Sequence, residues 1–158
     1  MKKIFQVLNQ LVREGVIAGY ALGGAVGTMF YTEAFSTKDV DVFVFPETVG
    51  SGIIHFNSLY NRLQELGYRE SRGQFLIMEG IPVDFVVPDD LVEEGMRHAR
   101  RMKYEGVTVN VLSPEYLAAI ALRVRRPQDA QKVRLLRESG QLDERKLAAI
   151  RRRHGVKP

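Results

Sequence analysis

The residues from position 37 to position 45 read Thr37-Lys38-Asp39-Val40-Asp41-Val42-Phe43-Val44-Phe45. The apolar part of this stretch is β-branched and aromatic, which predicts a strand buried on both faces. Residues i and i+2 of a strand point to the same side, so the carboxylates of Asp39 and Asp41 project together. Two such charges repel each other unless a cation lies between them. Because hard oxygen ligands suit Mg²⁺, the pair indicates either a divalent metal site or two solvated carboxylates at the mouth of a strand.

A third carboxylate lies in a second apolar segment, residues 81–87, where Asp84 stands between Val83 and Phe85. An aspartate seldom occupies such a position unless it is paired or binds a metal. Three acids from two strands supply the ligands of a two-metal site, in which the ions lie about 3.5–4 Å apart. Asp84 could instead accept the proton of an attacking nucleophile.

A glycine pair, Gly23-Gly24, ends an apolar run over residues 16–22 and precedes a short helix predicted over residues 25–33. Such a turn lets backbone N–H groups approach an anion closely. Neither a dinucleotide fingerprint nor a P-loop fits, because Leu22 lies two positions before Gly24 and no Gly-Lys-Ser/Thr follows. The pair therefore indicates either a phosphate contact or a plain tight turn.

Composition excludes several classes of protein. A chain of 158 residues with 45% hydrophobic residues predicts one domain, or one domain with a small appendage. The absence of cysteine excludes thiol catalysis, Cys-ligated zinc and disulfides, and it fits a cytoplasmic protein. No uninterrupted apolar run approaches the roughly 18 residues of a membrane span, and the start of the chain lacks the apolar core of a signal peptide.

Charge divides the chain into two unequal parts. Residues 1–122 carry 11 basic and 15 acidic side chains, a net charge of −4, whereas residues 123–158 carry 12 basic and 4 acidic ones, a net charge of +8. A basic end favours phosphate-bearing partners. Arg145, Lys146 and the run Arg151-Arg152-Arg153 would serve for nucleic-acid contact, although a solvated basic helix end is the simpler interpretation.

Hydrophobic periodicity predicts an α/β (α+β) protein, a mixed β-sheet flanked by helices with a small helical C-terminal segment. Strands are predicted over residues 16–22, 40–45, 75–78, 81–87 and 107–112, with a tight hairpin turn at Glu79-Gly80. Helices are predicted over residues 4–12, 56–66, 89–103, from 113 onward, 127–139 and 143–153. The core would span residues 1–112, with residues 113–158 packed on it as the helical segment. His55, His98 and His154 fit no ligand spacing, and we expect all three to be solvated.

Taken together, the segments around Gly23-Gly24, Asp39-Val40-Asp41 and Asp84 resemble the DNA polymerase β-type nucleotidyltransferase superfamily. Its pattern is hydrophobic-Gly-Gly/Ser, then Asp-hydrophobic-Asp/Glu, then a lone acid in a later strand. The likeness is strongest to the small bacterial and archaeal members, the minimal and AbiEii-like nucleotidyltransferases. Residues 112–117 and 126–129 resemble that group's helical motifs, usually Ser-Pro-Glu-x-Leu and Arg-x-Lys-Asp, so the resemblance covers roughly residues 16–139.

This resemblance implies transfer of a nucleoside monophosphate from an NTP such as ATP to a hydroxyl acceptor, with two Mg²⁺ ions as cofactors. The acceptor would be a protein, a tRNA end or a small molecule. By position, Asp39 and Asp41 would bind metal and act in catalysis, with Asp84 as a further ligand or base. The nucleotide would be held by Gly23, Gly24, Thr37 and Lys38, with Thr37 bracing the loop of Asp39.

Three departures concern phosphate-holding cations. Phe35 replaces an arginine, residues 117–122 contain no lysine, and Gln128 replaces the lysine of Arg-x-Lys-Asp. Lys38 could substitute for them, as could one of three arginines of the basic end, Arg123, Arg125 and Arg126. These departures favour the alternative of a non-catalytic binding or regulatory protein on the same scaffold, of the toxin–antitoxin type, whereas the three acids favour the enzyme. A DxD glycosyltransferase ranks third, because its nucleotide-sugar domain normally needs a longer chain.

Overall fold

The computed structural model describes residues 1–33, 37–45 and 56–157. The strands in these ranges are β1 (Gly19–Leu22), β2 (Val40–Phe45), β3 (Ser71–Arg72), β4 (Phe75–Met78), β5 (Ile81–Val86), β6 (Arg100–Tyr104) and β7 (Val107–Val111). The helices are α1 (Lys2–Arg13), α2 (Gly24–Met29), α3 (Asn57–Glu65), α4 (Asp90–Arg97), α5 (Pro114–Val124), α6 (Asp129–Glu138) and α7 (Glu144–Arg153). Phe35, the loop expected at residues 46–52 and His55 lie outside the described residues.

The strands form one mixed sheet in the order β3-β4-β5-β2-β1-β7-β6. Strand β2 is antiparallel to β1 and parallel to β5, so the end of β1 and the starts of β2 and β5 meet at one edge of the sheet. Strands β4 and β5 form the expected hairpin, in which Glu79 and Gly80 both have positive φ, as a type I′ turn requires. The mixed sheet with flanking helices confirms the predicted fold class.

The two faces of strand β2 are not equally buried, although its sequence predicts burial on both faces. Val40, Val42 and Val44 are fully buried, whereas the alternating residues Asp41, Phe43 and Phe45 are only partly covered. One face of β2 therefore belongs to the core, and the other is partly open where Asp41 lies.

The predicted helix over residues 89–103 is wrong in its second half. Helix α4 ends at Arg97, and residues 100–104 instead form strand β6, which pairs antiparallel with β7. Glu105 and Gly106 both have positive φ and make the connecting turn. Because β6 lies at the edge of the sheet, its charged side chains are exposed. Its sequence therefore lacks the hydrophobic pattern by which a buried strand is recognised.

One hydrophobic cluster runs from Ile4 in α1 to Val156 beyond α7. Helix α5 packs against α2 and α4 and also against α6 and α7, and so links the two helices of the basic end to helices that precede it in the chain. A division of the chain at residue 112 stays a prediction. Within the described ranges, no helix combines the length and apolar character needed to cross a bilayer.

The apolar stripe of α1 provides a test of this core. Leu8 is fully buried, so Leu8→Ala should lower the free energy of unfolding by about 2–5 kcal/mol through lost burial and a cavity. Gln6→Ala, on the exposed face of the same helix, should change it by less than about 0.5 kcal/mol. Urea unfolding measures both variants, and equal stability of the two would contradict this placement of α1.

Candidate functional site

The turn between β1 and α2 lies against the side chains of β2. The Gly23 N–H donates to the carbonyl of Asp41 at 3.1 Å. A Cβ on Gly23 would stand 2.3 Å from the Phe43 ring, and one on Gly24 would stand 1.7 Å from Asp41 Oδ2. Gly24 also has a φ of +54°, which side chains rarely adopt. Both positions therefore require glycine because the strand approaches so closely.

The structure places Asp41 and Asp84 side by side. They are paired residues of the parallel ladder between β2 and β5, and paired residues of neighbouring strands point to the same side of the sheet. Asp84 Oδ2 accepts a hydrogen bond of 2.7 Å from the Gln74 amide. This neighbour across the hairpin was not among the residues identified in the sequence.

Asp39 lies just before β2 and is held by Thr37. The Thr37 hydroxyl donates to the carbonyl of Asp39 at 2.7 Å and lies 3.2 Å from its Oδ1. The Asp39 N–H in turn lies 3.3 Å from the same hydroxyl. Thr37 therefore sets the conformation of the backbone from which Asp39 projects.

Asp41 experiences opposing charges. Burial, and next the negative charge of Asp39, raise the pKa of its carboxyl group, and Asp84 adds to this effect. Lys132 and Arg126 oppose it. A carboxylate in this position is stabilised by any further cation that approaches it.

A cavity of about 270 Å³ is lined both by acidic residues of the sheet side and by cationic residues of the basic C-terminal part of the chain. Thr37, Lys38, Asp39 and Asp41 form one side. Arg126, Gln128, Gln131 and Lys132 form the other. Of the substitute cations considered from the sequence, Lys38 and Arg126 line this cavity, whereas Arg123 pairs with Asp89.

Lys132 was missed in the sequence, and Asp129 holds it in place. Asp129 is 2% exposed, and its carboxylate accepts from Lys132 Nζ at 3.0 Å and from the N–H and Nε of Arg126 at 2.8 and 3.3 Å. Burial raises the pKa of Asp129, but these hydrogen bonds outweigh it, and the net pKa is lowered. The i, i+3 spacing of Asp129 and Lys132 is the sequence signal for this pair.

The histidines are only partly as expected. His98 is exposed, but His154 is half-buried, and its Nε2 lies 2.6 Å from Glu94 Oε2, so the expectation that it is solvated is wrong. Glu94 also bonds to Arg153 and accepts from the Tyr116 hydroxyl. The Arg153 hydrogen bond, more than the other two, lowers the pKa of Glu94 to about 2 against the effect of burial. This tertiary cluster draws residues from α4, α5 and the end of α7.

Carboxylates are the donors that a hard divalent cation prefers. As the side chains stand in residues 1–33, 37–45 and 56–157, no group of three or more His, Asp or Glu is close enough to hold a metal ion. Mg²⁺ usually binds through one or two carboxylates, with water and substrate phosphates completing its shell. The donor chemistry of Asp39 and Asp41 fits such an ion, with the remaining ligands supplied from outside the protein.

No protein-family model and no curated protein matches this chain. Solved structures do match. An antigenic nucleotidyltransferase-like protein from Paracoccidioides brasiliensis shares 18% identity at a TM-score of 0.57, covering 87% of this chain and 74% of that one. The antibiotic-resistance factor ANT(2″)-Ia, in its solution structure, shares 15% identity at a TM-score of 0.61, covering 96% and 89%. The crystal structure of ANT(2″)-Ia in complex with adenylyl-2″-tobramycin shares 16% at 0.61, covering 96% and 97%. At identities this low, the structural similarity shows a common fold alone.

The contact between Gly24 and Asp41 can be tested by Gly24→Ala. We expect it to lower the free energy of unfolding by more than Gly73→Ala, which has a similar φ of +61° but no atom within 4 Å of the added methyl group. Gly73→Ala should show the backbone cost alone, about 1–2 kcal/mol. Thermal unfolding measures both.

A double variant separates the clash from the backbone strain. In Gly24→Ala/Asp41→Ala the colliding carboxylate is gone. The loss of unfolding free energy in the double variant should therefore be smaller than the sum of the losses in the two single variants, by about 1 kcal/mol or more. Additive effects would show that Gly24 and Asp41 do not meet as described.

Proposed function

We propose that this chain, which has the polymerase β-type nucleotidyltransferase fold, transfers a nucleoside monophosphate from an NTP to a hydroxyl acceptor in a metal-dependent reaction. One observation carries the proposal. The cavity that Asp39 and Asp41 line on the sheet side is lined on the helical side by Arg126 and Lys132. Carboxylates for metal ions and cations for phosphates, facing each other across one cavity, are the two components that nucleotidyl transfer needs.

Asp39 and Asp41 are the proposed metal ligands, and Asp84 on the neighbouring strand is the proposed third acid. When bound, Mg²⁺ neutralises phosphate charge and polarises the reacting oxygens. The chain's own contribution is to hold the two carboxylates in place, through Thr37 for Asp39 and through the strand pairing for Asp41.

The triphosphate would lie between Lys132, Arg126 and Lys38. Asp129 fixes the first two in place, so their charges need little reorganisation when a nucleotide binds. The turn of Gly23 and Gly24, where helix α2 begins, is the proposed backbone contact of the phosphates. Lys132 and Arg126 thus replace the cations that are missing at Gln128 and in residues 117–122.

In the transfer step, the acceptor oxygen forms a bond to the α-phosphorus while the bond between that phosphorus and the α–β bridging oxygen breaks. The bridging oxygen keeps the bonding electrons and leaves with pyrophosphate. Asp84 is the proposed acceptor of the hydroxyl proton, since Gln74 binds its Oδ2 and leaves the other oxygen for this role.

The alternative is a non-catalytic binding or regulatory protein of the same fold, of the toxin–antitoxin type, in which productive nucleotide binding has been lost. Gln128, in place of the lysine of the resembling motif, and residues 117–122, which contain no lysine, favour it. Lys132 and Arg126 count against it, because a chain without productive nucleotide binding has no need of two fixed cations opposite the acids.

Incubation with Mg²⁺ and each α-labelled NTP should label an acceptor or the protein itself. Asp41→Asn should lower the rate at least 100-fold, and chelation of the metal should abolish it, because charge stabilisation is lost. Asp90→Asn, an exposed aspartate of α4, should leave the rate unchanged. Binding of Mg²⁺ and NTP without transfer, or no binding of either, would overturn the transferase and favour the non-catalytic alternative.

Lys132→Met should raise the KM for NTP about tenfold or more, whereas Lys103→Met, at an exposed position of β6, should not change it. Because Lys132→Met removes one of the two cationic partners of the buried Asp129, Asp129→Asn/Lys132→Met is measured beside it. The double variant should fold and still bind NTP weakly. Normal affinity in both would remove Lys132 from the site.

Nucleic-acid contact through the basic end remains a proposal. It is supported by the difference in ion pairing between the arginines of α6 and those of α7. The α6 arginines Arg134 and Arg137 form ion pairs with Glu138 and Glu144. Arg145 and Arg152 on α7 have no ion pair within the part of the chain that the structure describes. Unpaired cations on one helix suit a phosphate backbone.

Arg145→Gln/Arg152→Gln should therefore weaken binding of single-stranded RNA and reduce the slope of log K against log salt by about 0.7 for each lost phosphate contact. The matched control is Arg134→Gln/Arg137→Gln on α6. Fluorescence anisotropy over a salt series measures both, and equal slopes would exclude α7 as the contact surface.

A further inference from the structure

A second cavity, of about 310 Å³, lies at the start of α5, between α7, the end of α4 and the start of β6. It shares no lining residue with the cavity of Asp39 and Asp41. Helix α5 has 11 residues and is therefore about 16 Å long. Its start borders this second cavity, and its far end leads to Arg126. The two cavities are thus distinct places in the fold.

We propose that this second cavity binds a small phosphate monoester. Its lining carries three cations, Arg100, Lys146 and Arg153, against one carboxylate, that of Glu115. A volume near 300 Å³ is at the lower end of small-molecule pockets, and it suits a ligand no larger than a nucleoside monophosphate.

The carboxylate at the floor of the cavity is already satisfied. Glu115 is 3% exposed, its Oε2 accepts from the Ser113 hydroxyl at 2.7 Å, and its Oε1 accepts from the Asp143 N–H at 3.0 Å. These bonds fasten the start of α5 to the start of α7. The two helices therefore hold the walls of the cavity at a fixed separation before any ligand arrives.

Two of the cations have donors to spare. The Arg100 guanidinium lies 3.9 Å from Glu115 Oε2, beyond hydrogen-bonding distance, and 5.7 Å from the centre of the Tyr31 ring. Within residues 1–33, 37–45 and 56–157, neither Arg100 nor Lys146 makes a side-chain hydrogen bond. A phosphate dianion would accept from both, whereas Arg153 is already bonded to Glu94.

An aromatic wall borders these donors. The rings of His98 and Tyr116 stack with centroids 5.9 Å apart and planes inclined by 15°. The Tyr116 hydroxyl donates to Glu94 at 2.7 Å, which fixes the ring. A flat wall beside an anion site favours a phosphate that carries a ring over inorganic phosphate alone.

The test is calorimetric titration of the whole chain with inorganic phosphate, ribose 5-phosphate and AMP, in the presence of a metal chelator. The wild type should bind with a single saturable site, and AMP should bind at least as tightly as phosphate. Ala149→Phe fills the cavity from α7, and Lys146→Gln removes a cation from its surface. Each should weaken binding tenfold or more.

Two matched controls should leave the affinity unchanged, namely Ala148→Phe, the neighbouring position outside this cavity, and Lys103→Gln, an exposed lysine of β6. Asp129→Asn/Lys132→Met, which removes a phosphate-holding cation of the proposed transferase site, should also leave it unchanged, and this keeps the result independent of that site. Lys146→Gln lies on the surface and tests the site even if Ala149→Phe unfolds the protein.

No binding of any of the three probes would overturn the proposal. Binding that survives both Ala149→Phe and Lys146→Gln but disappears in Asp129→Asn/Lys132→Met would assign the phosphate to the other cavity, and it would overturn the proposal equally.

Discussion

Gly24 and the Asp41 carboxylate lie so close together that a side chain on the glycine would occupy the position of Oδ2. This contact exists because β1 and β2 are antiparallel neighbours. The turn that follows β1 therefore lies against Asp41, near the start of β2. Strand β5 then adds Asp84 at the same level. The carboxylates, the open backbone and the cavity in front of them all depend on this one packing of glycine against aspartate.

The second supporting interaction is the buried pair of Asp129 and Lys132. A buried carboxylate without a partner is strongly unfavourable, so Asp129 requires the cations that surround it. By holding Lys132 and Arg126, it directs part of the basic end of the chain toward the acidic sheet. The opposite net charges of the two parts of the sequence therefore meet in one cavity.

The two cavities at the ends of α5 also differ in how they are built. The first is formed where sheet and helices meet, and there burial, with the charge of Asp39 next, raises the pKa of the Asp41 carboxyl group. The second is formed among helices, and its one carboxylate is fully hydrogen-bonded. Two neighbouring acids attract a cation, whereas a hydrogen-bonded acid beside cations that have free N–H donors, Arg100 and Lys146, leaves those donors for an anion.

Much of the fold follows from local pattern, because buried strands and amphipathic helices leave periodic traces. Strand β2, the hairpin at Glu79 and the helix start at Ser113 are of this kind. Strand β6 left no such trace, since an edge strand exposes charged side chains and gains its structure from pairing with β7. His154 was likewise misjudged, because its partner Glu94 is 60 positions away in the chain.

For the site, the sequence alone determined which acids matter to the proposal. Asp41 and Asp84 stand within apolar strands and Asp39 directly precedes one, and a carboxylate is unfavourable in such surroundings unless it has a partner. It also determined that the nearby turn is built of glycine. Only the tertiary structure decided which cations face those acids. Lys132 and Arg126 reach the cavity because α6 packs beside α2 and α5, a contact between distant segments that no local spacing encodes.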